Sequence, residues 1–385
     1  MLDGARTPVG RFGGAFKDVP GYGLGALATR SALERAGVDH SDIDELVMGC
    51  IGQVGPDAYN ARRVALAAGV PKSTPAYNVN RLCGSGLQAV WSAAMQLQWG
   101  GIDFALAGGN ESMTRMPFYD FNARNGYSLG NREMVDGTVA MLTDPFQRVH
   151  MGVTAENVAA KYGVSRLDQD EFAAESQRRA ASPDALAAFG EEIVPVAVGG
   201  RSPRVVAVDE HPKPETTIEA LAALRPAFSE GGTVTAGNSS GINDGAGALV
   251  LTRESVAAER GLRGLVVLEA VTTAAMEPEL MGYAPVLALR KLFRRTGTAP
   301  SDIGIIELNE AFASQAVACI RDAELDPERV NPYGGAIALG HPVGATGANL
   351  TLRVAKDMVR RDHEFGIVTM CIGGGQALAA LFRRV

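Results

Sequence analysis

Two cysteines and one histidine stand in glycine-rich settings: Cys83 in Asn80-Arg-Leu-Cys-Gly-Ser-Gly86, His341 in Gly340-His-Pro-Val-Gly-Ala-Thr-Gly347, and Cys371 in Met370-Cys-Ile-Gly-Gly-Gly375. These residue types supply a nucleophile, a base and a second acid/base, the set that covalent catalysis needs. Cys83 precedes the apolar stretch Leu87-Gln-Ala-Val-Trp-Ser-Ala-Ala-Met95, which reads as a buried helix. The sulfur then sits at a helix N-terminus, where free N–H groups and the positive end of the dipole favour a thiolate. A lone cysteine is more often a buried structural residue. Here Gly84 and Gly86 leave room for a substrate, and with the helix start they favour a nucleophile.

His341 lies among Gly334, Gly335, Gly340, Gly344 and Gly347, with little side-chain volume to pack against, which suits acid/base work better than packing. Cys371 follows the strand Gly366-Ile-Val-Thr-Met370 and precedes three glycines, Gly373 to Gly375, whose N–H groups can bind an oxyanion. Alone it reads equally as a core cysteine at a strand end. Asn309 and Glu310 end a strand before an apolar helix, and an N-cap is their simplest reading. No Gly-x-Gly-x-x-Gly opens a helix with an acidic residue at the usual distance, and no Walker A run occurs. His40, His150, His211 and His363 show no metal-ligand spacing, so no metal site is expected.

The elements that position these residues are duplicated. Arg30 to Ile43 and Arg290 to Ile303 align without a gap, sharing Arg35/Arg295, Gly37/Gly297 and a Ser-Asp-Ile ending. Both read as a helix closed by glycine, then a turn into an apolar strand. At an offset one residue longer, Cys83-Gly84-Ser85-Gly86 falls on Gly344-Ala345-Thr346-Gly347, and Asp103-Phe-Ala-Leu-Ala107 falls on Glu364-Phe-Gly-Ile-Val368. Ala248 to Leu251 aligns with Leu378 to Leu381 after a long insertion confined to the first half. The insertion carries a helical stretch from Thr154 to Arg179 and Pro-rich loops from Pro195 to Pro226. The expected architecture is α/β: a duplicated fold of two layered αβαβα-type half-units about a pseudo-dyad, with an inserted loop domain. Residues 1–112 with 243–264 form the first half, 113–242 the insertion and 265–385 the second half. The cleft between the halves is the expected site, with Cys83 and His341 on mirrored helix starts.

Composition agrees with a soluble protein of this size. Of 385 residues 46% are hydrophobic, and 46 are glycine, well above the usual roughly 7%, with no collagen-like period. A net charge of -7 argues against a general nucleic-acid or membrane-surface role while allowing a local pocket for an anion. No apolar run is long enough for a bilayer, and the N-terminus lacks the apolar core of a signal peptide. Four scattered cysteines fit reduced thiols, and Arg383-Arg384-Val385 is no peroxisomal signal, so a cytoplasmic location is expected.

Over nearly its whole length the chain resembles the thiolases. The resemblance rests on Asn80 to Gly86, His150-Met-Gly-Val-Thr-Ala-Glu-Asn157, Leu224-Arg-Pro-Ala-Phe228, Ala236-Gly-Asn-Ser-Ser-Gly-Ile-Asn-Asp-Gly245, Asn309-Glu-Ala-Phe-Ala313, Gly340 to Gly344 and Cys371 to Gly375, all in order. It implies ping-pong chemistry in which Cys83 is acylated, His341 takes its proton, and Cys371 moves the proton of the α-carbon or of the CoA thiol. It implies an oxyanion site of the Cys83 and Gly373 N–H groups, and a second one of His341 with a water held by Asn309.

The same resemblance implies an inserted domain that covers CoA. Ser239 and Ser240 would lie along the pantetheine, His150 and Met151 near the reactive end, Phe228 and Phe312 as walls, and Lys213 near the phosphates in place of a usual Arg. CoA would be a substrate, with no bound cofactor, and the protein a homo-oligomer, dimer or tetramer. The block Asp144 to Gly152 looks like that of acetoacetyl-CoA thiolases, and Met281 beside Gly282 is placed to close the acyl pocket to short chains. Condensation of two acetyl-CoA, or the reverse thiolysis, is the leading expectation, with a broader 3-ketoacyl-CoA thiolase as the alternative. Only Met1 and Leu2 precede Asp3, a shorter first strand than the resemblance implies, with an expected loss of central sheet hydrogen bonds. A ketoacyl synthase would usually carry His or Asn in place of Cys371, and a silent acyl-CoA-binding scaffold would not need both cysteines and the histidine.

Overall fold

The computed structural model describes residues 1–199 and 203–385. The first half builds a mixed sheet from β1 (Gly4–Arg6), β2 (Glu45–Gly49), β3 (Ala76–Val79), β4 (Phe104–Ser112) and β5 (Asn243–Thr252), in the order β1-β5-β4-β2-β3, with the short strand Gly10–Arg11 also on β5. The second half uses β6 (Val266–Ala275), β7 (Ile303–Leu308), β8 (Phe365–Ile372) and β9 (Gln376–Arg384), in the order β6-β9-β8-β7. In each sheet the first two of the equivalent strands are parallel, β2 with β4 and β7 with β8, and an antiparallel strand follows, β5 or β9. The partner of β2 on its far side, β3, is reduced in the second half to a single parallel bridge between Ile306 and Val330.

Helices α1 (Gly21–Ala36) and α2 (Asn60–Ala68) cover one sheet. Helix α3 (Ser85–Trp99) packs on its other face. The insertion supplies α4 (Met151–Tyr162), α5 (Arg166–Ala180) and α6 (Pro183–Glu192), and the second half α7 (Ala284–Thr296), α8 (Ala313–Asp322) and α9 (Thr346–Arg360). α7 and α8 pack their apolar faces on the outside of the second sheet. α3 and α9 lie against each other between the sheets, so the halves share one central helical layer in an αβαβα stack. α1 and α7 both end on a left-handed glycine, Gly37 at φ 63° and Gly297 at φ 75°, as the duplicated sequence requires.

The glycine excess has a use in this central layer. A Cβ on Gly347 would lie 2.2 Å from Leu87 N, and one on Gly86 would lie 2.7 Å from Ala348 N. Only glycine at both positions lets the two helix starts meet.

Three expectations change. The helical stretch Thr154 to Arg179 is two helices, broken where Gly163 caps α4 in the left-handed region and Ser165 with Asp168 forms a capping box for α5. The short strand β1 is the outermost strand of its sheet, so its length affects edge rather than central hydrogen bonds. The register pairs Ala107 with Leu249 and Val368 with Ala380, so the equivalent of Leu249 is Ala380, one residue later than the sequence alignment puts it. The insertion is pinned to both halves by a buried carboxylate: Glu192 at the end of α6 meets Arg6 of β1 at 2.6 Å and Arg353 of α9 at 3.1 Å.

Candidate active site

Cys83 ends a tight turn immediately before α3. Asn80 Oδ1 accepts the Leu82 N–H at 3.0 Å, and Ser85 Oγ accepts from Arg81 N and donates to Leu82 O. Leu82 is thereby held at φ 48°, a left-handed conformation rare for a branched residue. The thiol faces the N–H of Gly373 from the second half. Burial pushes Cys83 up to about 11, against the pull of the Gly373 and Cys83 N–H groups, with the Glu111 charge adding to the rise. The expectation of a thiolate stabilised by the helix N-terminus is therefore corrected: the helix start is present, but desolvation outweighs it and the resting group is a thiol.

His341 precedes α9, the mirror of α3. Thr346 Oγ1 donates to Pro342 O at 3.1 Å and lies 2.7 Å from His341 Nδ1, so the ring donates through Nδ1 and keeps its lone pair on Nε2. Asn243 Oδ1 accepts the His341 backbone N–H at 2.9 Å, while its amide nitrogen donates to Gly10 O. Burial pulls His341 down to about 4, which keeps the imidazole neutral. Cys83, His341 and Gly373 line one cavity of about 330 Å³.

Asn309 and Glu310 are not helix caps; the N-cap of α8 is Phe312, without a side-chain bond. Asn309 instead places Nδ2 3.5 Å from His341 Nε2, and its buried Oδ1 has no hydrogen-bond partner among the described residues. Glu310 accepts from Ser176 Oγ, Asn331 Nδ2 and Ile337 N, anchoring the chain that leads to His341. Cys371 is the next-to-last residue of strand β8, buried in an apolar cluster with Met281, Phe312, Met151 and Phe228, and burial holds its thiol well above the ordinary range. The charges of Cys83 and Cys319 add to that rise. Cys371 is not among the residues that line the cavity of Cys83 and His341; its cluster mates Met151, Phe228, Met281 and Phe312 are.

His150, Met151, Phe228, Ser239, Ser240, Met281 and Phe312 all line the same cavity as Cys83. The His150 and Phe228 rings stack at 4.8 Å, and Phe312 meets Phe228 edge-on at 6.0 Å. Gly152 is required beside them, because a Cβ there would lie 2.2 Å from the Phe228 ring. Ser239 and Phe312 form an antiparallel bridge, which seats the insertion loop on the second half. Lys213 is not brought to this cavity: it is exposed, with its backbone N–H donated to Gln177 Oε1. Residues 1–255 match the profile of the thiolase N-terminal domain and residues 262–384 that of the C-terminal domain.

The chain belongs to the thiolase family. This thiolase is 47% identical over 388 residues to the beta-ketothiolase BktB of Cupriavidus necator, covering 100% of this chain and 98% of that protein. The crystal structure of the Bacillus anthracis acetyl-CoA acetyltransferase superposes with a TM-score of 0.98 at 39% identity, over 100% of this chain and 98% of that one. Human mitochondrial 3-ketoacyl-CoA thiolase in complex with CoA superposes at 0.95 with 36% identity, over 100% and 97%.

Four residues of the site went unread in the sequence: Thr346, Asn243, Ser85 and Glu111. Each acts through a bond to backbone or side chain that only the assembled fold creates. Glu111 alone left a signal, a carboxylate inside the otherwise apolar and glycine-rich run Phe104 to Gly109 and its continuation Asn110-Glu-Ser112.

Proposed function

We propose that this thiolase is an acyl-CoA C-acyltransferase that interconverts two acetyl-CoA with acetoacetyl-CoA and CoA through an acyl-Cys83 intermediate. The observation that carries the reading is the single cavity lined by Cys83, His341 and Gly373, with Thr346 Oγ1 2.7 Å from His341 Nδ1 on the far side of the ring from Asn309. In thiolysis, Nε2 takes the thiol proton as Cys83 sulfur bonds to the 3-keto carbon. The oxyanion is held by the Cys83 and Gly373 N–H groups. Collapse breaks the bond between the α- and β-carbons, and the Cys371 thiol gives its proton to the departing α-carbon, releasing acetyl-CoA. The Cys371 thiolate then takes the proton of the incoming CoA thiol, CoA sulfur displaces the acyl group from Cys83, and the departing Cys83 sulfur takes back the proton held on His341 Nε2. The unpartnered Asn309 Oδ1, beside the amide that reaches His341, supports its role in holding a water at the second oxyanion position.

CoA is consumed and regenerated as a substrate, with no bound cofactor. Segment 113–242 serves as its cover, between the halves 1–112 with 243–264 and 265–385. Ser239 and Ser240 lie along the pantetheine, and exposed Lys213 serves the phosphates as a point charge. Family membership supports a homo-oligomer, dimer or tetramer, acting in cytoplasmic fatty acid metabolism. Among the described residues no helix is long and apolar enough to cross a membrane.

One observation favours the broader-chain reading as well: Met113, Met141, Met151 and Met281 line the cavity, and methionine adapts its shape to different occupants. Loss of the 3-ketoacyl thioester is followed with CoA and a series of 3-ketoacyl-CoA substrates. Turnover confined to acetoacetyl-CoA supports the short-chain reading, similar kcat/KM for longer chains supports the broader one, and no turnover of any member overturns both.

A further inference from the structure

Glu111 stands outside the reacting groups, yet it touches both sides of the site. It lies near the end of β4, is 1% exposed, and forms no salt bridge among the described residues. Its Oε1 accepts the Gly52 N–H at 2.9 Å, and its Oε2 accepts those of Ile51 at 3.0 Å and Gly344 at 3.1 Å. Ile51 and Val343 line the catalytic cavity, and Gly344 belongs to the turn between His341 and α9. A carboxylate buried without a cation is costly unless hydrogen bonds satisfy it, so those three N–H groups, with the Cys50 thiol 3.8 Å from Oε1, are what hold the group in place.

We propose that Glu111 is a positioning residue, whose hydrogen bonds to Ile51, Gly52 and Gly344 fix the His341 turn of the second half against the cavity wall of the first. The packing at Gly344 leaves no slack. A Cβ on Gly344 would lie 2.6 Å from Glu111 Oε2 and 2.9 Å from Asn110 O, and a Cβ on Gly109 would lie 2.0 Å from Gly344 O. Pro342 O and Thr346 Oγ1, the two groups that orient the His341 ring, flank Gly344 in this same turn. Three N–H donors converge on two acceptor oxygens, a demand that a carboxylate meets and a carboxamide does not, because its NH2 would face a donor.

Burial pushes Glu111 up to about 7, so the carboxylate is ionised in mildly alkaline buffer. Its charge also raises Cys83 through space. This gives the E111Q variant two opposed expectations. Removing the charge alone would ease ionisation of Cys83 and speed its alkylation; displacing the base would slow it.

The test measures three quantities on full-length wild type and E111Q: CoA affinity, kcat with acetoacetyl-CoA and CoA, and the rate of Cys83 alkylation by iodoacetamide in mildly alkaline buffer. The positioning role predicts at least a tenfold fall in kcat and slower alkylation, with CoA affinity within threefold of wild type. Unchanged kcat, faster alkylation, or a loss of CoA affinity in step with kcat would overturn it. If E111Q does not fold, E111D, which keeps the charge and shortens the reach, carries the measurements: slower alkylation and at least a tenfold fall in kcat with CoA affinity within threefold support the role, and unchanged kcat or unchanged alkylation overturns it. The kcat arm rests on the acyl-cysteine reading, whereas alkylation needs no CoA thioester, so a wild type without turnover sinks that reading and leaves this one testable.

Discussion

Thr346 Oγ1 lies 2.7 Å from His341 Nδ1 and hands its own proton to Pro342 O, which leaves Nε2 as the basic nitrogen. Thr346→Val keeps the shape and leaves a buried ring N–H without a partner, a loss of about 1–3 kcal/mol or roughly fivefold to 150-fold in rate. The expected outcome is a fall of that size in kcat with little change in KM, and recovery in Thr346→Ser. Steady-state kinetics of the two variants check it.

The resting pair is a thiol pushed up to about 11 and an imidazole pulled down to about 4, both by burial first. His341 is then a competent base above about 4, and free Cys83 thiolate accumulates only near 11. Alkylation of Cys83 is expected to change little with pH across the neutral range. In His341→Asn it is expected to become slow and to rise about tenfold per pH unit, as free thiolate takes over. A wild-type inflection at the ordinary thiol value would contradict this account.

Cys371 is assigned to the protons of the α-carbon and of CoA. Cys371→Ala is expected to retain Cys83 alkylation and CoA binding while turnover falls about a hundredfold or more. Rapid-quench measurement of acetoacetyl-CoA consumption reads the loss directly.

Much of this was legible in the sequence because the duplication carries it. Ser85 and Thr346 begin α3 and α9, and Phe104 and Phe365 begin β4 and β8, as the alignment of the two halves implies. The Leu249 alignment slipped by one because its anchors lie across the insertion, and in a strand one residue reverses the face. Asn309 read as a cap because local pattern knows nothing of His341, thirty-two positions away, whose ring its amide approaches. Cys83 read as a thiolate because the helix start is a local feature, whereas the desolvation that outweighs it comes from residues of both halves.

Glu307 offers a prediction about stability. It is fully buried on β7, neither carboxylate oxygen has a hydrogen-bond partner among the described residues, and Arg353 stands 3.6 Å away. Burial pushes it up to about 8 from an ordinary 4.5. A raised carboxyl means that the folded chain holds the proton longer than the unfolded chain, so this group's penalty grows as pH rises from about 4.5 to about 8. Glu307→Gln is therefore expected to raise the melting temperature relative to wild type at mildly alkaline pH and much less at mildly acidic pH. Thermal melts at the two pH values decide it, and an equal shift at both would remove Glu307 titration as the cause.

The central claim is that Cys83 carries the acyl group. The most direct measurement is mass spectrometry of the protein after brief exposure to acetoacetyl-CoA without CoA, followed by acid quench and peptide mapping. The account predicts an acetyl group on the peptide containing Cys83 and its absence in Cys83→Ala. An acetyl group on Cys371, or persistence of turnover in Cys83→Ala, would contradict it.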